Sequence, residues 1–318
     1  MKYLFFDIEC AGVFKNVAKI CAFGYCLTDE KFNILAKEDL LINPKGSFHL
    51  MDRKGSRGIV LPYKYDEFKK FPAFPEVSQK IYALLHDTDT IIAGHATMND
   101  VKYLNLETLR FSLPSFHFQF ADTQFIYMNR IGDFSRQFAL GSIADELKVE
   151  FTPHRAVDDA YATMKIAEAM CKEENLDFLG LLEKYQIKLG KIENNEITQN
   201  TSVGYEAHLA AVAKRREERE QKRVQFHNFV DKAKRKRAKE GKLKSKNVCF
   251  SHPLELQTSL AEELIVKAFA AGAFFTCRAE NADVYVYFEG ETGARLENLK
   301  KSKTRLFTVE EFREFLEK

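Results

Sequence analysis

The sequence predicts an α/β protein: a mixed β-sheet packed against helices, followed by a charged helical connector and a second, smaller α/β domain. Three observations carry that prediction. Runs rich in β-branched and aromatic residues come early in the chain and helical periodicity follows, the order expected of a sheet with helices packed on it. The composition turns polar and then basic between about residues 190 and 246. From residue 247 strand-like and helix-like runs alternate again, in the order β-α-β-β-α-β-α.

Residues 2–8 (KYLFFDI) read as a buried strand, and 20–29 and 32–42 as further strands. Residues 44–73 hold several Pro and Gly among many Lys and Arg, the composition of a long loop or insertion. A helix at 75–86 and a short strand at 90–94 (TIIAG) come next. Helical periodicity returns near 99–109, 122–129, 138–147, 157–173 and 175–188. These elements define a first domain, 1–190. Residues 191–246 read as a polar boundary and a basic helix, in which pairs such as Arg216 with Glu220 suit a solvated helical face. Strands at 247–250, 273–277 and 283–288, with helices at 258–271 and 292–301, define a domain at 247–318. Its last helix opens on Thr308 and Glu311, the spacing of a capping box.

Composition excludes several classes. The 318 residues are 45% hydrophobic and 30% charged, ordinary for a globular protein. No stretch reaches the roughly 18–20 uncharged apolar residues of a membrane helix, and the first ten residues are too acidic for a signal peptide. The six cysteines show neither CxxC pairing nor zinc spacing and sit among apolar neighbours, so free thiols in a reducing, cytoplasmic setting are expected. The net charge of +2 is a sum of unlike parts. Residues 1–204 carry −4, residues 205–246 carry +9, and residues 247–318 carry −3.

Three acidic segments bear chemistry. In FFDIECAG, Asp7 and Glu9 are two apart on a strand, so both carboxylates leave the same face. Buried unpaired carboxylates repel each other and resist desolvation, and a hard divalent cation such as Mg²⁺ or Mn²⁺ resolves that conflict. In IIAGHATMNDVKYL, Asp100 starts a helix after a strand. In PHRAVDDAYATMKI, His154 sits in a turn and Asp158 and Asp159 open a helix; a loop histidine beside acids can take a proton from water. Each segment alone has an ordinary reading as a solvated strand end, a helix-dipole partner or a cap.

Together, in this order and spacing, they resemble the DEDDh superfamily of 3′–5′ exonucleases over about residues 1–172. The segment ADTQFIY (121–127) is similar to a D-T segment of the same family. The resemblance implies a ribonuclease H-like fold with a mixed five-stranded sheet. It implies two metal ions, with Asp7 bridging both, Glu9 and Asp159 on the first, and Asp100 completing the site. His154 would be the general base, while Asp158 lacks the spacing and would cap the helix. Ile8, Cys10, Gly12 and His95 would contact the terminal nucleotide. Cys10 and Ala11 stand where the family usually has hydroxyl residues, His95-Ala96 where it often has His-Asn, and Asn99 where it often has Phe. None of these departures removes a metal ligand.

Residues 247–318 resemble a BRCT domain in their strand and helix order, with Phe312 where a Trp is common and Ala271-Gly272 for Gly-Gly. That resemblance implies a protein or phosphopeptide partner, with Ser251, Arg295 and Lys300 as phosphate-binding residues. The combined expectation is a 3′–5′ exonuclease acting on nucleic acid with a 3′ end. DNA in repair or replication is favoured over RNA processing, and a non-catalytic 3′-end-binding adaptor is the alternative. No membrane partner is expected.

Overall fold

Alternation along the first strand sets the layout of the N-terminal part. In β1 (Lys2–Phe14), Tyr3 and Phe5 point to one side and Leu4, Phe6 and Ile8 to the other, and all are buried. A strand buried on both faces must be central. The computed structural model describes residues 1–46, 65–151 and 154–318, and the chain divides into two units, Met1–Leu209 and Ala210–Lys318. Most of the expected loop at 44–73 lies outside the described residues.

After β1 come β2 (Val17–Asp29), β3 (Ile34–Leu41), α1 (Tyr65–Phe68), α2 (Phe74–Leu85), β4 (Thr90–Gly94), α3 (Met98–Arg110), β5 (Phe118–Asp122), α4 (Thr123–Ile131), α5 (Leu140–Glu146), α6 (Ala156–Glu174) and α7 (Phe178–Lys184). Four short strands follow: β6 (Ile187–Lys188), β7 (Gly190–Glu193), β8 (Glu196–Thr198) and β9 (Thr201–Ser202). Among the described residues the main sheet has seven strands in the order β3-β2-β1-β4-β5-β7-β8, parallel across β1-β4-β5 and antiparallel elsewhere. Tyr3 and Phe5 pack with Ile126, Ile143, Met164 and Phe178 of α4–α7. Leu4, Phe6 and Ile8 pack with Phe74, Ile81, Val101 and Leu104 of α2 and α3. Each such side chain contributes roughly 1.5–3 kcal/mol.

The sheet exceeds the five strands expected because the polar run after residue 190 is not a boundary. Gly190 lies on the ring of Phe120, where a Cβ would approach to 2.4 Å, so glycine lets β7 pair with β5. Asn194 and Asn195 both have positive φ (51° and 63°) and join β7 to β8 in a two-residue hairpin turn, a geometry that asparagine tolerates well. Two further expectations shift. The strand β5 precedes the helix expected at 122–129. The helix expected at 175–188 covers only 178–184, capped by the Asp177 carboxylate, which accepts from Gly180 N–H.

The division between units falls inside α8 (Val203–Ala233). Its first turn belongs to the N-terminal unit, where Tyr205 packs on Phe125 and Phe134. Its last turns belong to the C-terminal unit, where Phe226 and Val230 are buried with Phe250 and Phe269. Arg223 and His227 face the buried Glu255 at 3.0 and 3.4 Å. The connector expected at 191–246 is therefore divided between two cores, since its ends carry apolar residues that each core buries.

The C-terminal unit continues with β10 (Asn247–Phe250), α9 (His252–Leu256), α10 (Thr258–Ala270), β11 (Phe274–Phe275), β12 (Val284–Tyr287), α11 (Ala294–Lys300), β13 (Arg305–Thr308) and α12 (Val309–Glu317). Its four strands are all parallel, in the order β11-β10-β12-β13. Apart from the short α9, this is the expected element order. Thr308 and Glu311 form the capping box, and Phe312 is fully buried beneath the sheet residue Phe250.

Candidate active site

The alternation that buries Tyr3 and Phe5 continues to Asp7 and Glu9, so these carboxylates emerge on the face covered by α6. A row across the sheet fixes what lies beside them. Asp7 of β1 pairs with Gly24 of β2, which pairs with Asp39 of β3. Directly opposed residues share a face, so two acids flank a glycine. The space above Gly24 is filled by the start of α6. A Cβ there would lie 2.0 Å from the carbonyl carbon of Ala156 and 2.1 Å from the nitrogen of Val157.

Seating the helix start on Gly24 brings its residues to both acids. Asp159 reaches the Asp7 and Glu9 side, and Arg155 reaches Asp39, donating from Nε to Oδ2 at 3.2 Å. His154 adopts a left-handed φ of 71°, and its N–H donates to Asp159 Oδ2 at 3.0 Å. Ligand atoms of Glu9, His154 and Asp159 all lie within 4.8 Å of one another. Asp7, Glu9, His154 and Asp159 line one cleft of about 710 Å³ with His95, and Leu140, Val149 and Phe151 provide apolar wall.

The electrostatics are those of crowded acids. Asp7 is held well above the usual carboxylate range by burial, then by Asp100, Asp159, Glu9 and Asp39. Asp100 is likewise raised by burial and then by Asp122 and Glu9. Glu9 is pushed up to about 7 by burial, Asp159 and Asp39. Burial raises Asp159 to about 6 despite the His154 N–H. Among the described residues, no Lys or Arg side-chain nitrogen lies within 4 Å of the carboxylate oxygens of Asp7, Glu9, Asp100 or Asp159. A buried set of oxygen donors that repel one another and lack a cationic side chain fits divalent ions.

Other expected residues are distributed differently. Ile8 is 5% exposed and packs with Phe6 and Phe23 on the opposite face, because a period of two sends it away from Asp7 and Glu9. Cys10 packs toward that same core, and burial pushes its thiol well up. Gly12 is buried opposite Lys19. Neither Cys10 nor Gly12 lines the cleft, so nucleotide contacts by Ile8, Cys10 and Gly12 have no support in the geometry. His95 does line it, but both ring nitrogens are engaged, Nε2 with the Phe138 carbonyl and Nδ1 with Thr123 Oγ1, each at 3.0 Å. Burial lowers it to about 4, so it is a neutral, fixed wall. Asp158 pairs with Lys37 and Arg155 on the surface.

In the C-terminal unit, Ser251 is fully buried. Its hydroxyl donates to Glu291 at 2.8 Å and accepts from Leu254 N–H. Arg295 reaches His252 and the Cys277 carbonyl, and Lys300 pairs with Glu297. The Glu291 carboxylate beside this hydroxyl would repel a phosphate, so the geometry lends the expected phosphate pocket no support.

Asp39 and Arg155 receive no role from the motifs, and Asp122 figures there only as part of the D-T segment. Asp122 caps α4 and accepts from the amides of Ala96, Thr97, Gln124 and Phe125, tying the loop after β4 to the helix that follows β5. Arg155 is expected to position His154. Arg155→Ala should lower kcat about 10- to 100-fold with little change in KM, the size that a misplacement of about 1 Å produces. Arg155→Lys should recover part of that loss. Steady-state kinetics of the two variants check this, and an unchanged kcat in Arg155→Ala would remove the role.

A buried carboxylate cluster with a loop histidine at the end of a mixed sheet has the donor set that a metal-dependent hydrolase requires. The exonuclease (RNase_T) family model matches residues 4–167, just over half of the chain. The chain belongs to this exonuclease family. A 3′-exonuclease whose structure concerns 3′-end recognition of a histone mRNA stem-loop is 16% identical with a TM-score of 0.50, over 64% of this chain and 71% of that one. Apo exonuclease I is 16% identical with a TM-score of 0.45, over 58% of this chain and 45% of that one. The nuclease domain of 3′hExo, a DEDDh family member bound to rAMP, is 18% identical with a TM-score of 0.45, over 54% and 91%. No curated protein matches the chain. No described helix is long and apolar enough to cross a membrane.

Proposed function

We propose that the protein removes nucleotides from the 3′ end of nucleic acid, with two divalent cations, Mg²⁺ or Mn²⁺, held by Asp7, Glu9, Asp100 and Asp159. The observation that carries this is the cluster of mutually repelling carboxylates, joined by a His154 nitrogen within 4.8 Å of Glu9 and Asp159 oxygens. When bound, such ions supply charge stabilisation to the attacking and leaving oxygens of a phosphodiester displacement. His154 stands on an exposed turn, so a proton accepted at its ring nitrogen from the attacking water can pass to solvent. The Asp159 carboxylate holds the His154 backbone and thereby orients the ring. Leu140, Val149 and Phe151 provide an apolar surface for the terminal nucleoside.

DNA is the favoured strand and repair or replication the favoured setting. This rests on the BRCT-like reading of the C-terminal unit, which its all-parallel four-stranded sheet supports. Oligonucleotides labelled at either end, as matched DNA and RNA strands, test the whole reading. Expected is metal-dependent release of mononucleotides from the 3′ end, faster on DNA. His154→Gln should slow it about 10²- to 10⁴-fold, the usual contribution of a general base. Tight end binding without turnover would leave an adaptor, and faster release from RNA would make the enzyme an exoribonuclease.

A further inference from the structure

The positive charge of the chain is not where helical periodicity suggests. Residues 205–231, most of α8, carry a net charge of only +1. Residues 232–246 hold nine Lys or Arg and one Glu, a net +8. This segment is folded onto the C-terminal unit. Ala238 N–H donates to the Phe269 carbonyl at 3.0 Å and Leu243 N–H to the Ala271 carbonyl at 2.8 Å, with the Leu243 side chain buried. Gly241, at φ 143°, lets the backbone pass so close that a Cβ would meet the Ala271 oxygen at 2.4 Å. The C-terminal unit therefore carries +7 and the N-terminal unit −5.

Beside this segment runs a groove of about 680 Å³ lined by Lys234, Arg237, Phe274, Phe275 and Arg278. Phe274 is 44% exposed, and it lies on β11, the edge strand of the sheet. The Arg237 guanidinium sits 4.0 Å over its ring and is fixed by the Gly272 carbonyl at 3.0 Å. Asp231, the one acid in the groove, is taken by Lys234. Lys232, Arg235, Lys236, Lys239 and Arg278 are exposed, and among the described residues none has a carboxylate within 4 Å.

We propose that this groove docks single-stranded nucleic acid, through phosphate contacts to the basic segment and base stacking on Phe274. The inference rests on the reading of the substrate as nucleic acid, but it concerns a surface that the chemistry does not use. Unpaired cations beside an exposed, guanidinium-flanked aromatic ring are the combination that binds a strand whose bases are unstacked. The same concentration of positive charge disfavours an apolar or basic protein segment.

Fluorescence anisotropy of a fluorescein-labelled dT 20-mer on the full chain in chelator tests it. The charge reversal Arg235→Glu, Lys236→Glu, Lys239→Glu and Arg278→Glu should weaken binding at least tenfold. It should also flatten the salt dependence, by about 0.7 in the log–log slope for each phosphate that is no longer neutralised. Phe274→Ala should weaken binding roughly 5- to 100-fold at an unchanged slope, in line with removal of one stacking platform. Both variants should cleave a trinucleotide at the wild-type kcat. Unchanged affinity and slope in both variants would overturn the proposal while leaving the exonuclease reading intact. Loss of binding in both, with no hydrolysis by the wild type, would keep the groove and overturn the catalytic reading.

Discussion

Asp7→Asn is expected to abolish hydrolysis, lowering kcat about 10³-fold or more, and to raise the melting temperature of the metal-free protein. Activity falls because the change removes a charged ligand and several kcal/mol of transition-state stabilisation with it. Stability rises because the same carboxylate is buried among like charges. The pH dependence has the matching sign. Folding raises Glu9 from the ordinary glutamate value to about 7 and Asp159 from the ordinary aspartate value to about 6. The folded state thus binds these protons more tightly than the unfolded chain, and each ionised carboxylate works against folding above its folded value. In chelator, stability should increase as pH falls from about 8 toward 5 through those two values. Saturating Mg²⁺ or Mn²⁺ should flatten that part of the curve. Asp7→Asn should add roughly 1–3 kcal/mol, the scale of relieving one buried unsatisfied charge, or several degrees for a unit of this size. Scanning calorimetry with and without chelator measures both effects, and a lower melting temperature for the variant in chelator would refute the charge-repulsion account.

Gly24→Ala should be the most damaging single-methyl change in the N-terminal unit. The added carbon would fall 2.0 Å from the Ala156 carbonyl carbon. That is helix backbone and cannot swing aside like a flexible side chain. Either α6 retreats from the sheet, or the protein loses about 3 kcal/mol or more to overpacking. A retreat carries His154, Arg155 and Asp159 with it, so activity should drop even where the variant remains folded. Urea unfolding combined with rates measured in the native baseline separates the two effects. A variant with wild-type stability and rate would show that the helix does not rest on this glycine.

The sequence makes the two kinds of site residue unequally visible. Asp7 and Glu9 are legible because a strand's period of two follows from local covalent geometry, and the capping box at Thr308 and Glu311 is legible for the same reason. Asp39 is not, since only the register of β1, β2 and β3 places it in the row with Asp7. Gly24 is equally silent, because its importance comes from a helix 132 residues further along the chain. Likeness alone assigns Ile8 and Cys10 to the nucleotide pocket, whereas the alternation that places Asp7 sends Ile8 into the opposite core. The hairpin at Asn194-Asn195 is within reach of turn chemistry. Its strands are hidden by their polarity, which an edge strand tolerates and a central one does not. The basic stretch shows the limit of averaging over a window. Taken over 205–246 it reads as a charged helix, and only the fold shows the charge gathered on the segment after α8.

The Asp122 carboxylate, with its four captured amides, also makes the molecule observable in a particular way. Amide protons donated to an anionic acceptor resonate downfield, so those of Ala96, Thr97, Gln124 and Phe125 should form a recognisable set of chemical shifts. Asp122 is raised by burial to about 6 and is itself part of what raises Asp100. The four resonances should therefore move together with a midpoint near pH 6. Cations bound among the neighbouring acids should shift that midpoint downward. A backbone amide spectrum would then report occupancy of the acidic cluster from a residue outside the cleft lining.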